Sequence, residues 1–303
     1  MTEATLNANA SSDAAAKMSP AAASAPPRGA GASKGEQTGL KSLVSMVGPP
    51  VVVFISFIGL WYAYSAWVGE TERKISSPYP HAVLQEAFFK WAQISELIAA
   101  TWVTTKVAFV GLAIAVILGI LFAVLMSQAK WIERSFYPYA VLLQTMPILA
   151  LVPLIGLRWG FGFNSRVIVC VIISLFPIIT NTLFGLKSTE RGHHDLFSLH
   201  GASRLTRLKK LHFPGALPAM FAGFQISAGL SVIGAIVGDF FFGRGEKGLG
   251  IKIRDYTSFL ETEMLIGGII FSALLGIVMF QIFGILGRLF TGTWHESGND
   301  GTN

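Results

Sequence analysis

The chain has 303 residues, of which 52% are hydrophobic and 13% are charged, and its formal net charge is +6. Its mean hydropathy of +0.57 lies above the soluble globular range, so the composition predicts a polytopic membrane protein. The basic residues lie between long uncharged segments, which argues against nucleic-acid binding, and the single cysteine, Cys170, excludes a disulfide framework or a thiolate metal cage within one chain.

The chain begins with a segment, residues 1–42, that is rich in Ala, Ser, Pro and Gly. Such a composition buries too little surface to offset the entropy of ordering, so we expect a disordered cytoplasmic tail. The segment lacks a basic start followed by an apolar core and a small-residue cleavage site, which argues against a removable secretory signal.

Six uncharged stretches follow, each long enough to cross a hydrocarbon core, which takes roughly 20 helical residues. An open strand in lipid would leave backbone amides without partners, so we predict an all-α bundle of six transmembrane helices. Buried helices of a large soluble protein are the alternative that these lengths disfavour. The predicted transmembrane domain covers residues 43–290, with spans at 44–68, 107–129, 135–157, 167–186, 215–238 and 264–287.

The distribution of Lys and Arg predicts the orientation of the bundle. Taken together, the tail, the connection 130–134 and the loop 187–213 contain more Lys and Arg than the loops predicted on the opposite side of the membrane. By the positive-inside rule, both termini face the cytoplasm, including a short C-terminal tail at residues 291–303.

The third predicted span contains three prolines: Pro138, Pro147 and Pro153. Each removes a backbone hydrogen bond and bends or interrupts its helix, which is tolerated where a neighbouring helix or a water-lined cavity satisfies the freed carbonyl. We therefore predict that this span lines a cavity. Ordinary kinks are the alternative.

The loop 187–213 is basic and polar and interrupts the apolar second half of the chain. Asp195 suits the N-terminal end of a short helix over 195–200, Gly201 permits a sharp turn, and Ser203 is a good N-cap for a second helix. That second helix is amphipathic, with Leu205, Leu208 and Leu211 on one face and Arg204, Arg207 and Lys210 on another. We interpret the loop as a rigid docking protrusion; an interfacial helix lying on anionic headgroups is the alternative.

The spacing of this loop resembles the cytoplasmic signature of bacterial ABC importer permeases, which is Glu-Ala-Ala, three residues, Gly, nine residues, Ile, one residue, Leu-Pro. Asp195 takes the Glu position, and Gly201 is followed at the family distances by Leu211, Phe213 and Pro214. Leu196 and Phe197 replace the Ala pair. Other segments resemble the nitrate, sulfonate and taurine branch in the expected order: 77–83, 144–147, 153–157, 159–162, 181–186 and 214–218.

The resemblance implies a type I permease fold in the bacterial inner membrane, two permease copies that are usually identical, two cytoplasmic ATPase subunits and an extracytoplasmic solute-binding protein. It implies no resident cofactor. The expected cargo is a small nutrient such as nitrate, taurine, a sulfonate or a pyrimidine-type vitamin precursor. The residues implied to couple to the ATPase are Asp195, Leu196, Phe197, Gly201, Ala202, Ser203, Leu205, Leu208, Leu211 and Pro214.

The sequence carries no phosphate-binding loop of the form Gly, four residues, Gly-Lys-Ser/Thr, so ATP hydrolysis is assigned to a partner. The Gly-x-Gly-x-x-Gly pattern at 243–248 follows a span rather than a strand, and we expect an external turn. The histidines His193, His194, His200 and His212 lack accompanying carboxylates or thiolates in metal-binding spacing, so no metal site is predicted.

Polar groups within spans are candidates for the substrate path, with interhelical hydrogen bonding as the competing role. The candidates are Gln144, Pro147, Asn181, Thr182, Gln225 and Asp239. Asp239 lies near the outer surface, where solvation is a further alternative. Two other functions are alternatives: a secondary transporter driven by an ion gradient through Asp239, and a membrane enzyme using His193 or His194 with Asp239. The predicted topology disfavours the enzyme, because its groups should lie on opposite sides of the bilayer.

Overall fold

The computed structural model describes residues 37–68, 76–189 and 191–292, and in these ranges it contains helices and no β-strand. The helices are α1 (Gln37–Trp67), α2 (Pro80–Leu84, continued by the π-helical turn Gln85–Phe89), α3 (Trp91–Gln128), α4 (Lys130–Thr145), α5 (Ile148–Trp159), α6 (Phe163–Lys187), α7 (Arg191–Leu199), α8 (Arg204–Arg207, continued by the π-helical turn Leu208–His212), α9 (Phe213–Phe241), α10 (Leu249–Phe259) and α11 (Thr262–Thr291). The chain divides into two units, residues 1–55 and residues 56–303, and the second holds the packed bundle.

Five helical runs within these ranges are long and apolar enough to cross a membrane: Gly48–Trp67, Trp91–Gln128, Phe163–Lys187, Arg204–Phe241 and Thr262–Thr291. Counting the bent pair formed by α4 and α5 as one span gives six. Helix α1 begins at Gln37, inside the segment predicted to be disordered, while the remainder of both predicted tails, 1–36 and 293–303, lies outside the described residues.

The third predicted span is interrupted, as its prolines indicated. Helices α4 and α5 meet at 97° across Met146 and Pro147. Met146 adopts an extended ψ of 133° because a residue that precedes proline is disfavoured in the helical region. Pro138 and Pro153, by contrast, lie inside their helices.

Helix α3 begins at Trp91, well before the start predicted at residue 107. The predicted span excludes Glu96 and Lys106, because it contains only uncharged residues. The structure pairs Glu96 with Lys252, and Lys106 with Glu246 at 2.6 Å, so both charges are accommodated on the helix by distant partners.

Helices α3, α6 and α9 form the centre of the bundle, where small residues let the backbones approach closely. A Cβ added to Gly234 of α9 would lie 2.8 Å from the Cα of Cys170 in α6. The buried Cys170 thiol contacts the Ser231 carbonyl oxygen at 3.2 Å, and on its other side it leaves no room for a Cβ at Gly111 of α3. The close packing holds α3, α6 and α9 in fixed positions relative to one another. The functional features described below lie at the two ends of the bundle.

Candidate functional site

The turn between α7 and α8 has the hydrogen-bond pattern of a Schellman motif, which ends a helix at a residue with positive φ. Gly201 has a φ of 62°, and its amide donates to the Ser198 carbonyl at 3.0 Å. The Ala202 amide donates to the Phe197 carbonyl at 3.0 Å. The sharp turn predicted at Gly201 is confirmed, and glycine fits because a left-handed conformation strains other residues.

Helix α8 begins with the predicted cap. The Ser203 hydroxyl accepts a hydrogen bond from the Thr206 amide at 3.2 Å, which confirms Ser203 as the N-cap. The Arg207 Nε donates to the Ala202 carbonyl at 3.1 Å and so ties α8 back to the turn. These contacts give the α7–α8 turn one defined geometry.

Asp195 does not lie at a helix N-terminus, and that prediction is wrong. Helix α7 already begins at Arg191, so Asp195 lies in its middle, with an exposed side chain. The helix macrodipole acts mainly on the first and last turns, so it gives Asp195 little stabilisation.

Three leucines of the α7–α8 turn are exposed: Leu196 (51%), Leu199 (85%) and Leu205 (59%). Leu208, Leu211, Phe197 and Pro214 are half-buried, and Leu208 packs against the bundle core. Leu208 therefore stabilises the base of the turn, whereas the exposed apolar surface consists of Leu196, Leu199 and Leu205. Leu199 was not singled out from the sequence, although its place just before the turn was the available signal.

The turn is joined rigidly to the bundle. Arg204–Phe241 is a single helical run, with the π-helical turn Leu208–His212 inside it. The His212 Nδ1 donates to the Leu186 carbonyl at the end of α6 at 2.9 Å. The Lys187 ammonium pairs with the Glu133 carboxylate of α4. The turn thus connects directly to α9 and contacts the ends of neighbouring helices.

At the other end of α9, Asp239 forms a buried ion pair with Arg166 of α6. The side chains are 0% and 2% exposed, and Arg166 Nη1 lies 3.0 Å from Asp239 Oδ1. The Thr104 hydroxyl donates to Asp239 Oδ2 at 2.6 Å and accepts from the Leu249 amide at 2.8 Å. The alternative that Asp239 is solvated is wrong because Arg166 and Thr104 replace water around its carboxylate.

Arg166 also organises the connection between α9 and α10. Its guanidinium donates to the carbonyls of Phe242 at 2.8 Å, Arg244 at 2.9 Å and Glu246 at 3.0 Å. The predicted turn at residues 243–248 is confirmed, with Gly245 at a φ of 98°. Arg166 was placed in an external loop from the sequence. Its role was missed because its partner lies 73 residues away, and the available signal was a basic residue at the start of an apolar helix.

The candidate substrate-path residues are distributed over several places. Gln144 is exposed and lines a cavity of about 310 Å³ beside the α4–α5 break, where Pro147 is also exposed. The Asn181 amide donates to the Pro177 carbonyl of its own helix at 2.8 Å, and Thr182 is buried. Gln225 is half-buried, and its side chain lies against Gly284 of α11. The structure therefore places Gln144 on the wall of a cavity, Pro147 at the α4–α5 break, and the other four at helix contacts.

The comparisons with known proteins decide the family. Residues 115–292, more than half of the chain, match the family model described as binding-protein-dependent transport system inner membrane component. The chain belongs to this family. It is a permease subunit of an ABC importer of the nitrate and sulfonate branch, and this family consists of multi-pass inner-membrane proteins.

Curated relatives agree with this assignment. The permease is 33% identical over 233 residues to ThiX, a formylaminopyrimidine transport permease protein of Halalkalibacterium halodurans; the match covers 76% of this chain and 90% of ThiX. It is 30% identical over 148 residues to SsuC of Escherichia coli, a putative aliphatic sulfonates transport permease protein, with 49% and 56% covered.

A solved structure shares the fold. A chain of the inward-facing MetNI methionine ABC transporter superposes with a TM-score of 0.57 at 15% identity, covering 67% of the permease and 99% of that chain. The all-α bundle has the type I ABC importer permease fold. The predicted family and fold class are confirmed.

Proposed function

We propose that the permease forms the path by which a small nutrient enters the cell, and that a separate cytoplasmic ATPase drives it through the α7–α8 turn. The observation that carries the proposal is the exposed surface formed by Leu196, Leu199 and Leu205 on a turn of fixed geometry. Exposed apolar side chains on an otherwise basic segment are costly in water, and a protein groove that covers them removes that cost.

The mechanism follows from the connection between the turn and the bundle. Because Arg204–Phe241 is one helical run, displacement of the α7–α8 turn displaces α9 as well. Closure of an ATP-bound ATPase dimer on this turn would therefore tilt α9 and change access to the path. Such coupling requires the ATPase to bind two permease conformations with different affinity, since equal affinity shifts no equilibrium.

The assembly that we propose contains two identical permease copies surrounded by membrane lipid, two ATPase subunits and an extracytoplasmic solute-binding protein, with both termini and the α7–α8 turn in the cytoplasm. The cargo class is a nitrate-, sulfonate- or taurine-like anion or a pyrimidine-type vitamin precursor. The printed functions of the relatives, formylaminopyrimidine and aliphatic sulfonate transport, support this range. No observation favours the ion-gradient alternative, because the carboxylate of Asp239 is already paired with Arg166.

The docking surface is tested by substitution of Leu205 with Asp. Leu205 is 59% exposed, and Leu260, which follows α10, is 62% exposed and provides a control at the opposite end of the bundle. We expect Leu205→Asp to lose co-purification with the partner ATPase, because a carboxylate would be buried in the interface, and we expect Leu260→Asp to retain it. Equal retention by both variants would contradict the proposal.

The orientation is tested by labelling of a cysteine introduced at Ser203. The natural Cys170 is buried, so it gives little background reaction. We expect Ser203→Cys to react with a membrane-impermeant maleimide only after the cytoplasmic side is opened. Reaction in intact cells would place the turn outside and remove the proposed contact with an ATPase.

A further inference from the structure

A cavity of about 200 Å³ lies at the base of the α7–α8 turn, and the exposed leucines Leu196, Leu199 and Leu205 do not line it. Its walls come from the end of α3, the end of α6, α8 and the π-helical turn that follows. The lining residues are Ser127, Gln128, Leu186, Arg204, Arg207, Leu208 and His212. The cavity therefore lies where the ends of α3 and α6 meet the helical run that begins at Arg204.

The ionisable residues of this cavity are all basic: Arg204, Arg207 and His212. Within the described residues, neither arginine has a carboxylate within ion-pair distance. Five lysines elsewhere in the described residues do have one: Lys90, Lys106, Lys187, Lys247 and Lys252. Two arginines that share a cavity without a counter-charge repel each other, and a bound anion relieves that repulsion.

The chemistry of the walls favours a phosphate group. Guanidinium groups bind phosphate oxygens through paired N–H donors, so Arg204 and Arg207 supply the donors of this cavity. The Arg207 Nε bond to the Ala202 carbonyl fixes the root of that guanidinium, which lowers the entropic cost of binding.

We infer that this cavity binds the phosphate headgroup of an anionic phospholipid. Basic pockets between helix ends on the cytoplasmic side are suited to such headgroups, and this cavity lies between the ends of α3 and α6, two helices that are long and apolar enough to span a membrane. The inference rests on the proposed function for the cytoplasmic orientation of this end. A bound headgroup would join α8 to the ends of α3 and α6 and so stiffen the attachment of the turn.

The experiment compares two pairs of substitutions that remove equal charge. Arg204→Gln/Arg207→Gln empties the cavity of guanidinium groups, whereas Lys209→Gln/Lys210→Gln removes two exposed cations of the adjacent π-helical turn that do not line the cavity. The full-length permease is titrated with phosphatidylglycerol, and the bound lipid is counted by native mass spectrometry. We expect the arginine pair to weaken binding about thirtyfold and the lysine pair to change it less than about threefold.

Several outcomes would overturn the inference. Equal weakening of lipid binding by both pairs of substitutions would show diffuse attraction to surface charge. Binding of phosphatidylcholine as tight as that of phosphatidylglycerol would show that the cavity does not recognise the net charge of the headgroup. Displacement of the lipid by inorganic phosphate, with retention of phosphate in its place, would assign the cavity to a free anion.

A control separates loss of the site from loss of the fold. Arg204→Lys/Arg207→Lys keeps both charges but loses the paired guanidinium donors, so we expect it to bind phosphatidylglycerol more weakly than the unmodified permease and more tightly than the glutamine pair. A loss in this variant as large as that of the glutamine pair would overturn the inference, because the two retained charges would then contribute nothing to lipid binding. Because binding is measured on the permease alone, without an ATPase or ATP, its failure would leave the proposed function standing, and failure of the ATPase co-purification would leave the lipid result standing.

Discussion

Substitution of Arg166 with methionine removes the positive partner of the buried Arg166–Asp239 ion pair while it keeps an unbranched apolar side chain in its place. The Asp239 carboxylate would keep the Thr104 hydroxyl as a donor but would lose the guanidinium. The carbonyls of residues 242, 244 and 246 would lose their donor at the same time. The variant therefore tests whether this pair anchors the connection between α9 and α10.

The expected cost follows from burial. Arg166 is 2% exposed and Asp239 is 0% exposed, so water cannot replace the lost partner. Removal of one member of such a pair costs about 3–5 kcal/mol, most of it from the charge left behind. At about 1.4 kcal/mol per factor of ten, this cost lowers the ratio of folded to unfolded permease by roughly 100- to 4,000-fold.

The assay is equilibrium unfolding in mixed detergent micelles, with Arg158→Met as the matched control. Arg158 is exposed, and its contact in the structure is with the ring of Trp159, with the guanidinium carbon 5.7 Å from the ring centre. We expect the control to cost at most about 1 kcal/mol. In Arg166→Met/Asp239→Leu, neither charge remains, so the double variant should be more stable than Arg166→Met. A cost below about 1 kcal/mol for Arg166→Met would refute the proposed role of the pair.

Three further predictions concern single positions. Gly201→Val should destabilise the α7–α8 turn by about 1–2 kcal/mol, because residue 201 has a φ of 62°, and the variant should therefore show reduced uptake. Gly201→Asn should retain more uptake, because asparagine tolerates a positive φ better than valine. Equal uptake by the two variants would contradict this prediction. In α9, Gly234→Ala should destabilise the fold, because the new Cβ would lie 2.8 Å from the backbone of α6, whereas Gly229→Ala has open space and should be neutral; unfolding of the two variants checks the difference. The Lys106 ammonium lowers the pKa of the Glu246 carboxyl, so this pair stabilises the fold above the ordinary value of 4.5 and loses that contribution as pH falls below it. Lys106→Met should weaken the dependence of the free energy of unfolding on pH in the acid range. An unchanged pH dependence in this variant would exclude the proposed contribution of the pair.

Local chemistry made part of this structure predictable from the sequence. Helices α6, α9 and α11 lie where long uncharged stretches indicated, because lipid leaves such segments few other structures. The turn at Gly201 and the cap at Ser203 depend on residues within a few positions of each other, and both are present. The break at Pro147 likewise follows from the restriction that a proline places on the preceding residue.

Features that depend on distant partners were not predictable in the same way. Lys106 and Glu246 are 140 residues apart, and Arg166 and Asp239 are 73 residues apart, so neither pair leaves a periodic or spacing signal. When the partner of a charged residue is unknown, the charge indicates the end of a transmembrane span. The predicted span at 107–129 is therefore shorter than helix α3. The inward packing of Leu208 was missed for a related reason, since helical spacing shows which leucines share a face but not what that face contacts.

Uptake by proteoliposomes tests the central claim, that this permease works as the membrane path of an ATP-driven importer. The permease would be reconstituted with the ATPase and the solute-binding protein of its proposed assembly, and cargo entry would be measured with and without ATP. The account predicts that cargo accumulates only when ATP, the ATPase and the binding protein are all present, and that Leu205→Asp abolishes accumulation. Accumulation by the permease alone under an imposed ion gradient would contradict the account.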